Sequence, residues 1–66
     1  MNVRVNGETK TLPDDATVAD LLRELGLPAA GIAVAVNGEV VTRAWHAGTV
    51  VPPDADVEIL TAVQGG

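Results

Sequence analysis

The one strongly reactive group this sequence offers is the α-carboxylate of Gly66, at the end of Gln64-Gly65-Gly66. With a reference pKa of about 3.3 to 3.7 it is ionised at neutral pH. A carboxylate is a poor electrophile. Converted by a partner to an acyl-adenylate it becomes a good one, open to a sulfur or amine nucleophile. Glycine suits that work: nothing shields its carbonyl, and a Gly-Gly end can thread a channel too narrow for side chains. At a glycine frequency of about 7%, two terminal glycines arise by chance in roughly one chain in 200. A frayed terminus is the plainer reading of the dipeptide alone. What precedes it decides.

The remaining inventory is nearly empty. The chain has no Ser, Cys or Tyr, so the commonest nucleophiles are missing. Without Cys there is no disulfide and no thiolate-held cluster. His46 is the single histidine and sits beside Trp45 with no acid at fixed near spacing. Surface or loop packing is its expected role, since one imidazole makes no metal site. Asp14-Asp15 and the pair Asp54 and Asp56 stand next to prolines. Aspartate is favoured in such turns for backbone hydrogen bonding, which outweighs a metal-binding reading. No glycine-rich phosphate loop follows a strand. The expectation is a protein that binds no cofactor and catalyses nothing alone.

Sixty-six residues make one small domain. The chain is 47% hydrophobic yet has no Phe, no Tyr and one Trp, so its core must be Val, Leu, Ile and Ala. A net charge of −5 argues against nucleic acid, whose phosphates need basic patches, and suits a basic protein surface. No apolar run near Met1 reaches signal-peptide length, and none elsewhere reaches membrane-span length. The expectation is a soluble cytoplasmic protein with no membrane partner.

The elements that position the tail are readable in order. Met1, Val3 and Val5 alternate with polar residues, the period of a half-buried strand. Asn6-Gly7 predicts a type I′ turn, and Glu8 to Leu12 returns. Thr17 can cap a helix with Asp20 as the acidic partner three residues on. Val18, Leu21, Leu22 and Leu25 form one apolar stripe, predicting a helix from about Val18 to Leu25. Gly26 and Pro28 end it. Ile32 to Val36 is an almost continuous apolar run, suited to a strand with little exposed surface. Asn37-Gly38 turns the chain into Glu39-Val40-Val41. Residues 42 to 51 are irregular, Pro52 to Asp56 is a turn, and Val57 to Val63 is the final strand.

Hairpin, helix, hairpin, strand is the order of an α+β domain with one helix covering one face of a mixed sheet. The final strand slots between the hairpins, parallel to the first. That arrangement is the β-grasp, spanning residues 1–63, with 64–66 as a mobile tail past the sheet. The expected core is Met1, Val3, Val5, Leu21, Leu22, Leu25, Ile32, Val34, Val36, Val57 and Ile59.

With these motifs in place, the whole chain resembles the ThiS family, the small ubiquitin-like sulfur carriers of thiamine biosynthesis. The stretches that carry the resemblance are Val3-Arg4-Val5-Asn6-Gly7-Glu8, Ala16 to Leu22, Val34 to Val41 with Arg43, and Val57 to Val63 before Gly65-Gly66. Separately each is weak; their order and the Gly-Gly end are specific. Two local departures stand out. Trp45 follows Arg43 by two residues where the family often has three. The turn Asp54-Ala55-Asp56 replaces an acidic-Gly-acidic one.

The resemblance implies a carrier whose Gly66 is adenylated by an E1-like adenylyltransferase using ATP and magnesium. The adenylate is then sulfurated from a donor such as a cysteine desulfurase, and the thiocarboxylate passes its sulfur to thiazole synthase. Gln64 and Gly65 would thread the partner's channel. The small subunit of molybdopterin synthase is the alternative in the same superfamily, though typically longer. A non-catalytic β-grasp binding module is the alternative of another class. Period-2 alternation along the last strand puts Leu60 and Ala62 opposite the helix, with Glu58 on the same face. Ubiquitin-like proteins commonly dock through that face, so these three are the expected partner-binding residues.

Overall fold

Both hairpins close through the geometry that Asn-Gly favours. Asn6 and Gly7 have φ of 50° and 84°, and Asn37 and Gly38 have 51° and 84°. Positive φ at both central positions matches the right-handed twist of the flanking strands. In this computed structural model, which describes residues 1–28 and 31–61, the strands are β1 (Asn2–Val5), β2 (Glu8–Thr11), β3 (Ile32–Val36), β4 (Glu39–Val41) and β5 (Asp56–Thr61). They form one five-stranded sheet in the order β2-β1-β5-β3-β4. β5 is central, parallel to β1 and antiparallel to β3, as the β-grasp reading requires.

One helix, α1 (Val18–Glu24), covers one face of the sheet. Its start is a full capping box. The Asp20 N–H donates to Thr17 Oγ1 at 3.1 Å, and the Thr17 N–H donates to Asp20 Oδ2 at 2.9 Å. Its end is a Schellman motif around Gly26 at φ 71°. There Leu27 N–H donates to Leu22 O and Gly26 N–H to Arg23 O. Leu25 is the C-cap, so the helix stops one residue before the predicted end. At seven residues it would not persist in isolation. Val18, Leu21 and Leu22 hold it down on the sheet.

The core comprises Val3, Val5, Leu12, Ala16, Val18, Leu21, Leu22, Val34, Val36, Val51, Ala55, Val57 and Ile59. Met1, Leu25 and Ile32, expected inside, pack at its margin. Leu12, Ala16, Val51 and Ala55 enter from turns and loops, where no period marks them. β3 also alternates: Val34 and Val36 are buried, Ala33 is exposed and Ala35 half-buried. The continuous apolar run therefore has an outer face, made of alanine.

The irregular stretch folds into a 3-10 turn, Arg43–Trp45, followed by a single bridge between Thr17 and Val50. His46 is buried there at 4% exposure, so of the expected surface or loop packing it takes the loop packing. Its carbonyl accepts from Ala19 N–H at 3.0 Å, and its Nε2 lies 3.2 Å from Val41 O. The His46 carbonyl thus pins the loop to the helix start, and its imidazole pins it to the end of β4. Asp15 and Asp54 adopt positive φ, 66° and 61°, consistent with aspartate serving the turns. The expected mobile tail, residues 64–66, lies outside the described residues.

Candidate functional site

Three strands build the outer surface that includes the last described residues of β5. On β5, Val57 and Ile59 face the helix, and Glu58 and Leu60 face out. Leu60 is 66% exposed, as alternation along the strand requires. Its partner across β3 is Ala33, and the partner of Glu58 is Ala35. Ala35 in turn pairs with Val40 on β4, which is 74% exposed. Two alanines between Leu60 and Val40 leave a shallow trough, because a methyl group rises little above the pleat. At the Leu60 end, Gly31, Ile32, Ala33, Leu60 and Thr61 line a depression of about 300 Å³.

Charge frames this apolar strip. Glu58 is exposed on it, and Asp56 lies two residues earlier on the same face. Arg4 on β1 grips Asp56 in bidentate fashion, Nε to Oδ1 at 2.9 Å and Nη2 to Oδ2 at 2.8 Å. That leaves Glu58 as the carboxylate nearest the strip without a salt-bridge partner among the described residues. The surface combines an apolar centre with an acidic edge, and suits a partner of opposite charge.

β5 itself is fastened from both sides. Asn6 Nδ2 donates to Ile59 O at 3.1 Å, while Ile59 N–H donates to Asn6 Oδ1 at 2.8 Å. On the other flank Asp56 N–H donates to Asn37 Oδ1 at 2.9 Å, and Asn37 N–H donates to Asp56 O at 2.7 Å. The strand that leads into residues 62–66 is therefore held from both flanks, at Asp56 and at Ile59, by the two turn asparagines.

Of the sequence-predicted site residues, Leu60 and Glu58 share one face. Ala62, Gln64, Gly65 and Gly66 lie outside the described residues. Val40, Ala33 and Ala35 were not singled out from sequence. A signal for them existed: a two-residue turn at Asn37-Gly38 fixes the register, which puts Val40 beside Ala35. Among the described residues no three His, Cys, Asp or Glu side chains cluster as a metal would need. No helix among them is long and apolar enough to cross a membrane.

The chain matches the ThiS family over residues 3–66. It is similar to the crystal structure of the thiamine biosynthesis protein (ThiS) from Geobacter metallireducens, at 35% identity and a TM-score of 0.83, with 100% of each chain covered. It is also similar to the solution structure of a thiamine biosynthesis protein from the same organism. There the identity is 35% and the TM-score 0.79, covering 100% of this chain and 88% of that one. No curated protein matches the chain.

Proposed function

Because the chain belongs to the ThiS family, the small sulfur carriers of thiamine biosynthesis, we propose that Gly66 is the residue that carries the sulfur. An E1-like partner activates it: the Gly66 carboxylate attacks the α-phosphorus of magnesium-bound ATP and pyrophosphate leaves. The terminal sulfur of a persulfide on a donor such as a cysteine desulfurase then attacks the acyl carbon, and AMP departs. A thiol attacks the donor's sulfur in the acyl disulfide so formed, leaving as a disulfide with the donor and freeing the thiocarboxylate. The resulting thiocarboxylate supplies thiazole synthase. This chain acts as co-substrate, consistent with its lack of Ser, Cys and Tyr. Gln64 and Gly65 thread the partner's channel, and Leu60, Ala62 and Glu58 meet the surface around it.

The observation that carries this reading is the placement of β5. It is the central strand, clamped by Asn6 and Asn37, and its exposed Leu60 precedes the tail by a few residues. A partner that grips the tail must rest on that strip. The test is mass spectrometry of the intact chain after incubation with its activating enzyme, ATP and magnesium. An AMP adduct on Gly66, replaced by a thiocarboxylate when sulfur donor is added, is expected. A chain lacking Gly66 should remain unmodified at an unchanged melting temperature. Modification of that truncated chain would refute the proposal.

A further inference from the structure

On the helix side of the molecule, away from the strip around Leu60, a second depression of about 350 Å³ opens between α1 and the 3-10 turn. Ala19, Leu22 and Leu27 line it from the helix and its cap, and Arg43, His46 and Ala47 from the loop. Arg23 completes the rim. Its chemistry is the reverse of the rest of the surface. Nine of the 66 residues are acidic and four basic. Yet two of those four cations line this depression, and no carboxylate does. The neighbouring depression on the far side of Arg23 contains Asp14, Asp15, Asp20 and Glu24.

The two guanidiniums are available. Arg4 is held by Asp56, and Lys10 lies 3.8 Å from Glu8. Arg43 is exposed and forms no ion pair among the described residues. Arg23 has only a loose contact with Asp20, 3.6 Å, with its own side chain 79% exposed. Such a pair contributes little and yields to a better acceptor. The floor is rigid. Ala19 N–H is bonded to His46 O, Val18 N–H to Thr49 O, and the His46 ring to Val41 O. A preformed floor lowers the entropy cost of binding.

From this we infer that the depression is a second docking groove, and that its occupant is a short acidic peptide segment of a partner protein. An aliphatic side chain of that segment lies over Leu22 and Leu27, and flanking carboxylates reach Arg23 and Arg43. The apolar floor separates this from a phosphate site, which gathers backbone N–H groups around the anion. The chain's own acidity does not forbid it, since at about 0.1 M salt charges beyond about 10 Å are largely screened. Because the groove and the Leu60 strip lie on opposite sides of the sheet, both can be occupied together. The inference rests on the groove alone and is independent of the carrier role of Gly66.

The test is a nitrogen-15 NMR titration of the full chain with the peptide acetyl-Asp-Glu-Leu-Leu-Glu-Asp-amide, set against its lysine counterpart acetyl-Lys-Lys-Leu-Leu-Lys-Lys-amide. Saturable shifts are expected at the amides of Ala19, Arg23, Leu27, Arg43 and Ala47, and not at Ala33 or Leu60. Arg43→Glu should weaken that binding by about fivefold or more while leaving the spectrum folded. Any of five results would overturn the inference: no saturable shift, shifts centred on Leu60, equal binding of the lysine peptide, the same shifts from sodium phosphate alone, or unchanged affinity of Arg43→Glu. Concentration-dependent shifts of the same amides without peptide would assign the groove to a second copy of this chain, and would overturn it too.

Discussion

Asn6 and Ile59, 53 positions apart, exchange two hydrogen bonds: Asn6 Nδ2 to Ile59 O at 3.1 Å and Ile59 N–H to Asn6 Oδ1 at 2.8 Å. The primary amide stands in for a peptide group, so β1 goes on pairing with β5 after its backbone has turned away. Asn37 makes only half of this exchange. Its Oδ1 accepts from Asp56 N–H, and the second bond comes from its own backbone.

The two asparagines should therefore respond differently to the same substitution. Aspartate keeps the turn geometry, which it also tolerates. Asn6→Asp removes the Nδ2 donor and leaves a carboxylate oxygen facing Ile59 O, at a cost of about 1 to 3 kcal/mol. Asn37→Asp keeps the acceptor for Asp56 N–H and should cost less than about 1 kcal/mol. Urea unfolding of both variants measures the difference. Equal losses would mean that the turn backbone, and not the side-chain clamp, sets their contribution.

What was legible in the sequence was local. Asn6-Gly7, Asn37-Gly38, the Thr17/Asp20 box and Gly26 each carry their geometry in their own chemistry, and each closed as read. The central place of β5 followed from connecting those pieces. What could not be read depends on distant partners. The burial of His46 is set by Ala19 N–H and Val41 O, and that of Val51 and Ala55 by the segments they cover. The Asn6 clamp needs Ile59, which nothing near Asn6 announces. On the candidate site, alternation placed Leu60 outward; Val40 required carrying the register of the second hairpin through to β3.

Acid should weaken the helix start. Asp20 is held below its ordinary pKa of 3.8, first by the Thr17 backbone N–H, then by the Thr17 hydroxyl and by Arg23. Its folded pKa is the depressed one, so its stabilisation is fully present above about pH 4 to 5. As pH falls through 3.8 the unfolded chain takes up the proton first, and stability declines until the folded pKa is passed. Asp20→Asn should flatten this part of the curve of melting temperature against pH. An identical acid slope in the variant would show that Asp20 does not contribute to it.

Trp45 is the only aromatic residue and is 66% exposed on the 3-10 turn. Its indole already meets water in the folded state. Its emission maximum should therefore move little on complete unfolding in urea, while circular dichroism reports the full transition. A large red shift coincident with loss of the helix signal would mean the ring is packed in the native protein.

Ile59 and Leu60 are neighbours in sequence that point to opposite faces of β5. Ile59 is buried against the helix side, and its truncation to Ala removes methyl groups from a closely packed core. Such changes cost about 2 to 5 kcal/mol, much of what a domain this small can lose. Leu60 has only Ala33 across from it and stands mostly in solvent. Leu60→Gln should change stability by no more than about 0.5 kcal/mol. If the partner accepts Leu60 in a pocket, the same change removes an apolar anchor and should weaken binding by about 1 to 2 kcal/mol. Glu58→Gln, on the acidic edge, should act mainly on the association rate and lose its effect at high salt. Calorimetry against the activating enzyme, paired with thermal unfolding of each free variant, separates the two faces. Unchanged affinity for Leu60→Gln would remove this strip from the docking surface, whatever the tail itself carries.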